Sequence, residues 1–254
     1  MTVPLRAILV ASLSFASAFS ASAASKRIVS VLLIPMDQNR SPESTARAGR
    51  NFEKLLQSSK DWYGNQLGKT FDFEAPQIID SKLTLSAWIT RSENAGPGKP
   101  ASLRYDYLRG VQKELHRLGY DDPNVIYVVS VYAGEGEVAE SLSQGAARAG
   151  NAVALPPRAT TLGCDQTLLM VNKKCQDSFY AVNHELGHAF GLEHTCKKYP
   201  TDPNCEHSPM QAEKDPIKMK FLEAEKLSLQ TNKWLKPLTN LGASDQAAAP
   251  VSHH

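Results

Sequence analysis

The stretch NHELGHAFGLEH, from Asn183 to His194, constrains the fold of this chain more than any other segment. It contains H-E-x-x-H, which on a helix places His184 and His188 four residues apart on one face. Two imidazoles in that arrangement can both bind one zinc ion. Glu185 is one residue further along, beside the metal rather than on it. It is therefore the candidate general base for an attacking water.

A third histidine, His194, can bind the same ion only if the helix ends between His188 and His194. On a straight helix His194 would lie ten residues beyond His184, about 15 Å along the axis, too far to share an ion. Gly191 can adopt positive φ without steric cost and so end the helix. The sequence therefore predicts a bent site in which His184, His188 and His194 hold one Zn²⁺ and Glu185 is catalytic.

These residues, with Met210 after them, resemble the metzincin clan of zinc peptidases, in a matrixin-like form of the secreted bacterial type. The resemblance implies an α/β (α+β) fold: a twisted mixed sheet, two long helices, an active-site helix, and a small C-terminal lobe after the glycine turn. It also implies a Met-turn beneath the metal, for which Met210 is the candidate and Met219 the competitor. Position 212, where some members carry a metal-reaching tyrosine, is Ala212 here, so no fifth protein ligand is expected.

Periodicity of the apolar residues outside the motif predicts the remaining elements. The predicted strands cover 27–35, 71–79, 125–132, 151–155 and 167–171, and the predicted helices run from Ser41 to Gly68, over 103–118 and over 221–235. Segments 92–100 and 133–150 are predicted loops. The strand 125–132 is apolar on both faces and is expected at the centre of the sheet. Pro76 indicates an edge position for 71–79, and 151–155 is the candidate edge strand for an extended substrate.

The N-terminus has the order of a secretory signal. Arg6 precedes an apolar run over 7–19, which gives way to SASAAS, so cleavage after Ala23 or Ala24 is expected. The predicted organisation is therefore a signal peptide over 1–24 and a catalytic domain over 25–240. The catalytic domain divides into an upper lobe over 25–190 and a lower lobe over 191–240, and a disordered tail covers 241–254. The mature protein is expected to be secreted or periplasmic.

Four cysteines in an exported chain favour two disulfides. Cys196–Cys205 is the preferred bridge because it closes a short loop that contains prolines. Cys164–Cys175 then follows by elimination. An extended strand between those two residues would hold their side chains too far apart to bond, so the pairing stays open at this point.

The charge balance, 28 basic against 26 acidic side chains, gives no reason to expect nucleic acid or a membrane surface as a partner. The expected protein is a monomeric zinc metalloendopeptidase that acts on peptide or protein substrates. Two alternatives stay open. One is a binding or inhibitory protein that keeps the site with little or no turnover, and the other is a zinc hydrolase that acts on cell-wall material.

Overall fold

The computed structural model describes residues 26–94, 100, 103, 106–134, 146–147, 152–155, 164, 166–211, 213 and 215–238. The predicted signal peptide, the predicted tail over 241–254, most of the predicted loop over 133–150 and Ala212 lie outside the described residues. The division of the chain into two lobes remains a prediction.

Seven helices and seven strands make up the described part of the chain. The helices are α1 (Pro42–Leu67), α2 (Leu85–Asn94), α3 (Asp106–Arg117), α4 (Gln166–Val171), α5 (Lys173–Ala189), α6 (Thr195–Lys198) and α7 (Glu223–Gln230). A short 3₁₀ helix covers Cys205–His207. The strands are β1 (Arg27–Ile34), β2 (Lys69–Thr70), β3 (Phe73–Asp80), β4 (Val125–Val131), β5 (Ala146–Ala147), β6 (Ala152–Ala154) and β7 (Lys236–Pro237).

Five strands form one mixed sheet in the order β3-β1-β4-β6-β5. The first four run parallel, and β5 pairs antiparallel with β6. β4 lies at the centre and β3 at one edge, as the sequence predicted. The register of β1 against β3 shifts between Val29 and Val31, opposite the segment of β3 that contains Pro76. Proline cannot donate a ladder hydrogen bond, so a bulge on an edge strand accommodates it.

Both faces of the sheet are covered, which explains the continuous apolar runs of β1 and β4. One face packs against α1 and α5 in the larger core cluster, where Phe52 and Tyr63 of α1 meet Val182 and Leu186 of α5. The other face packs against α2 and α3 through residues such as Trp88. Helix α5, which carries His184 and His188, thus packs against α1 and against the strands β5 and β6.

α1 begins and ends at the residues that the sequence indicated. The Ser41 hydroxyl accepts a hydrogen bond from the Ser44 amide at 3.0 Å, and Pro42 occupies the first turn. Gly68 ends the helix with φ of 64°.

Several predicted elements are wrong. Residues 167–171 belong to helix α4, not to a strand, because a short apolar run does not distinguish the two by periodicity. α2 extends to Asn94, so the predicted loop at 92–100 begins too early. The predicted helix over 221–235 is confined to α7. The segment 151–155 is not an edge strand, since β5 pairs with β6 on the side away from β4.

Both disulfides are present: Cys164–Cys175 and Cys196–Cys205, with Cα atoms 5.4 and 5.0 Å apart. The Cys164–Cys175 bridge is inconsistent with the extended strand that the sequence predicted between its two cysteines. The helix α4 shortens that path and removes the inconsistency. Cys175 lies in the first turn of α5, so the bridge ties the chain that precedes α4 to the helix that carries His184 and His188. Within the described residues, no helix is both long enough and apolar enough to cross a membrane.

Candidate metal centre

Helix α5 presents His184 and His188 on one face, one turn apart. Their ring centroids are 4.7 Å apart and their planes nearly perpendicular. The helix is capped at its start by Asn172, whose side-chain oxygen accepts from the Lys174 and Cys175 amides at 2.9 and 3.2 Å. A capped, buried helix is a rigid support for two ligands, and rigid support keeps the separation of the rings constant.

The chain reverses directly after α5. Gly191 has φ of 93°, and its amide donates to the His188 carbonyl at 3.0 Å, while the Leu192 amide donates to the Gly187 carbonyl at 2.9 Å. These bonds close the helix end around a left-handed residue. The reversed chain carries His194 back, so that its ring centroid lies 5.3 Å from that of His184 and 4.9 Å from that of His188.

The three histidines together form a group that could hold a metal ion. One nitrogen of each lies within 4.8 Å of the others. His184 and His188 are partly buried, whereas His194 is exposed, so the group opens to solvent on the side of the third residue. Three imidazole nitrogens with an open side fit a catalytic zinc, which takes three protein ligands and leaves a fourth position free.

Backbone carbonyls orient two of the rings. Nδ1 of His184 donates to the Pro209 carbonyl at 2.7 Å, and Nδ1 of His188 donates to the Leu192 carbonyl at 2.9 Å. A carbonyl can only accept, so the proton of each neutral ring is on Nδ1 and Nε2 is free to bind a metal. Desolvation by burial lowers the pKa of His184 to about 4 and also lowers the pKa of His188. Both rings are therefore neutral at physiological pH.

Glu185 lies on the buried side of the same turn. Its side chain is 7% exposed, and its Oε2 has no hydrogen-bond partner among the described residues. Desolvation by burial raises the pKa of Glu185 to about 8. A nearby cation would favour the ionised carboxylate and lower that pKa. The unpartnered oxygen on the turn that carries His184 therefore fits a site built around a positive ion.

Met210 packs beneath α5 and is fully buried. A Cβ placed on Gly187 would lie 2.1 Å from the Met210 sulfur, so no side chain fits at position 187. Met219 is buried in the same core cluster, but the atoms nearest to Gly187 belong to Met210 and Leu192. Gly187 was not singled out from the sequence. The available signal was a glycine inside a helix, where it is otherwise unfavourable.

A family model of the M12 metallopeptidases, Reprolysin_5, matches residues 6–233. The chain belongs to the M12 metallopeptidase family. The resemblance to metzincins that the sequence suggested is thereby confirmed, and membership makes the chain a zinc metallopeptidase by family. No curated protein matches this M12 chain.

Among the solved structures similar to this M12 chain are one of archaemetzincin and two of OgpA. Archaemetzincin from Methanopyrus kandleri is 16% identical over 82% of this chain and 96% of that one, with a TM-score of 0.39. Wild-type OgpA from Akkermansia muciniphila is 15% identical over 83% of this chain and 61% of that one, with a TM-score of 0.50. Catalytically inactive OgpA in complex with an O-glycopeptide, glycodrosocin, is 13% identical over 83% and 60%, with a TM-score of 0.49. The likeness to wild-type OgpA shows a shared fold, and this chain spans about three fifths of the OgpA chain.

A buried carboxylate of this M12 chain was likewise not predicted from the sequence. Glu225 in the first turn of α7 is 2% exposed and hydrogen-bonds to Thr195 and Ser208. Thr195 directly follows His194, and Ser208 lies two residues before Met210. The sequence offers only a glutamate near the start of a predicted helix, a common position for an acidic residue that indicates nothing about the histidines earlier in the chain.

Proposed function

We propose that this protein is an exported zinc-dependent endopeptidase that hydrolyses peptide bonds. The observation that carries the proposal is the convergence of three histidines from two chain segments next to a buried glutamate. Membership of the M12 family supplies the metal and the reaction class. The assignment of individual residues to roles rests on their chemistry and their positions.

The histidines are the proposed metal ligands. His184, His188 and His194 would bind Zn²⁺ through one nitrogen each, and the carbonyls of Pro209 and Leu192 would hold the first two in the required tautomer. Zinc bound there would polarise the scissile carbonyl and lower the pKa of a water molecule.

Glu185 is the proposed general base. Its carboxylate would accept a proton from the attacking water and later pass it to the nitrogen of the leaving amine. It is adjacent to His184 in the chain but is not a member of the ligand group, and its Oε2, which has no hydrogen-bond partner within the described part of the chain, is available for the proton. Gly191 and Met210 serve as structural supports, the first for the chain reversal and the second beneath the helix.

The substrate is proposed to bind in an extended form along the sheet. Since 151–155 is not an edge, the candidate edge is β5, which ends the sheet and runs antiparallel to its neighbour. Main-chain pairing at such an edge gives affinity with little sequence preference.

Export is proposed from the signal-like N-terminus together with the two disulfides. Disulfides form and persist in oxidising compartments such as the periplasm or the extracellular space. N-terminal sequencing of the protein recovered from the periplasm or the medium tests this proposal. The mature chain should begin at Ala24 or Ser25.

The proposed activity is tested by casein degradation with the purified protein, with and without a zinc chelator. The chelator should abolish degradation and added zinc should restore it. Glu185→Ala should lose turnover but retain about one zinc per chain, because Glu185 is a base and not a ligand. His194→Ala should lose the metal as well. His116→Ala is the matched control, since its side chain is 81% exposed on α3, and it should behave as wild type. Equal loss of zinc in the Glu185 and His194 variants would refute the roles.

A further inference from the structure

Glu225 connects the two chain segments on which the candidate metal centre depends. Its Oε1 accepts from Thr195 Oγ1 at 2.5 Å, and Ser208 Oγ lies 2.9 and 3.0 Å from Oε1 and Oε2. Its Oε2 also accepts from the Leu222 amide at 2.9 Å. Thr195 and Ser208 are both fully buried, so these hydrogen bonds are shielded from water.

The carboxyl group of Glu225 is buried among neutral hydrogen-bond donors. Its donors are two hydroxyls and one backbone amide, and Lys198 interacts with it electrostatically. A buried carboxylate is unfavourable unless several hydrogen bonds satisfy it, and charge-assisted hydrogen bonds are the stronger kind. The four-contact cradle meets that requirement.

Capping of α7 does not by itself account for this arrangement. Capping uses only the contact between the Glu225 side chain and the Leu222 amide at the helix start, and the leucine side chain offers no acceptor for a reciprocal bond. The remaining contacts go to residues that are distant in sequence, at separations of 30 and 17 residues. They therefore hold other segments in place rather than the helix itself.

Each of those segments bears on a histidine. Thr195 follows His194, so its side chain anchors the backbone that carries the third histidine. Ser208 Oγ also accepts from the Met210 amide at 3.0 Å and thus shapes the turn. In the same turn, the Pro209 carbonyl accepts from Nδ1 of His184 at 2.7 Å. Glu225 is therefore linked to His194 through the adjacent Thr195, and to His184 through Ser208 and the Pro209 carbonyl.

We infer that Glu225 is a positioning residue of the metal centre, acting on His194 through Thr195 and on His184 through the turn at Ser208. It touches neither metal nor substrate. The inference rests on the proposed metal centre, not on the peptidase activity, so its test measures metal binding alone.

The test compares Glu225→Gln with Glu223→Gln in the full mature chain. Glu223 lies on the same helix, but its side chain is 84% exposed and pairs with Lys226 on the surface. In Glu225→Gln one oxygen becomes an NH₂ donor. If the NH₂ faces the Leu222 amide, that contact is lost; if it faces the two hydroxyls, they must turn from donors into acceptors, so neither orientation preserves the present set of hydrogen bonds. Zinc affinity is measured by competition with a chromophoric chelator, at a temperature where circular dichroism shows each variant folded. The visible spectrum of the Co²⁺-substituted protein reports ligand geometry.

Glu225→Gln should bind zinc about tenfold or more weakly than wild type, as is typical when a hydrogen bond that supports a ligand is removed. Its Co²⁺ bands should shift, and Glu223→Gln should match wild type in both measurements. Thr195→Val, which keeps the volume but removes the hydroxyl, should weaken zinc binding in the same direction. In the double variant the two losses should add less than fully, because Thr195 and Glu225 share one hydrogen bond and act on the same ligand.

A purely structural role would lower stability and leave the metal unaffected. If Glu225→Gln and Thr195→Val bind zinc within about twofold of wild type with unchanged Co²⁺ spectra, the inference is overturned. If Glu225→Gln does not fold, Thr195→Val and Ser208→Ala decide the matter by the same two measurements. A wild-type protein that binds no zinc would overturn the proposed metal centre and this inference together. Zinc binding without peptidase activity would contradict only the proposed function.

Discussion

Glu185 couples protonation to stability in the metal-free protein. Burial raises the pKa of Glu185 to about 8, compared with an ordinary value of 4.5. Between those two pH values the folded state holds a proton that the unfolded state has released. The free energy of unfolding therefore falls as pH rises through this window.

Replacing Glu185 by glutamine removes that dependence. Each pKa unit corresponds to about 1.4 kcal/mol, so Glu185→Gln should gain about 3 kcal/mol over wild type between pH 5 and pH 8, taken as an upper estimate. Urea unfolding of the chelator-treated proteins at several pH values measures this difference. Glu53→Gln, an exposed position on α1, should follow wild type throughout. Parallel pH profiles for wild type and Glu185→Gln would show that Glu185 is ionised in the metal-free fold.

Gly187 provides a second test at the scale of one residue. A Cβ at this position would lie 2.1 Å from the Met210 sulfur, whereas a Cβ at Gly49 in α1 would meet only Ile78 at 3.5 Å. Gly187→Ala should therefore destabilise the protein by about 1–3 kcal/mol through overpacking. Gly49→Ala should be neutral or stabilising by up to about 1 kcal/mol, because alanine favours a helix interior. Urea unfolding checks both, and equal effects at the two glycines would contradict close packing of Met210.

At the scale of an element, the end of α5 determines whether three histidines meet. Gly191 has φ of 93°, and a Cβ built on it would meet no atom within 4 Å. A substitution there is therefore opposed by backbone conformation and not by collision. This distinguishes it from Gly187, where the backbone is helical and the obstacle is a neighbouring atom.

Gly191→Val should lose zinc affinity and stability together, by about 1–3 kcal/mol in stability, since β-branched residues rarely adopt positive φ. Gly191→Asn should be milder because asparagine tolerates the left-handed region. Both are measured by chelator competition and urea unfolding. If valine and asparagine were equally well tolerated, the reversal would not depend on the backbone conformation of this residue.

Each disulfide closes a short loop, and its contribution is measured as the stability of the whole molecule. Replacing Cys164 and Cys175 by alanine should lower the free energy of unfolding by about 2–4 kcal/mol. The main reason is that the unfolded chain has more conformational entropy without the bridge. The Cys196–Cys205 pair, with a similar sequence separation of 9 against 11, is the matched comparison and should cost about the same. Denaturant unfolding of both double variants measures this. A negligible loss at either pair would mean that the bridge strains the fold as much as it restrains the unfolded chain.

The segments after the glycine turn are also fastened to the rest of the molecule. β7 pairs with β2, the Gln230 side chain donates to the Leu67 carbonyl at 2.9 Å, and Asn232 donates to the Phe190 carbonyl at 2.7 Å. These contacts join the segment around α7 to the ends of α1 and α5. Glu225 thus acts from a helix that is itself held in place.

The local features of this protein can be predicted from its amino-acid order. The H-E-x-x-H spacing places two histidines on one helix face, Gly191 allows the reversal, and the runs at β1 and β4 specify buried strands. Each of these depends on backbone geometry over a few residues, which the residue order dictates directly.

Other features depend on contacts between segments that are distant in the chain. Whether 167–171 became helix or strand, which strand lay at the sheet edge, and how Cys164 reached Cys175 depended on packing between distant segments. The same holds for the fit of Gly187 against Met210 and for the contacts of Glu225. Such contacts join residues that are far apart along the chain, and no local pattern specifies which of many compatible partners a side chain will meet.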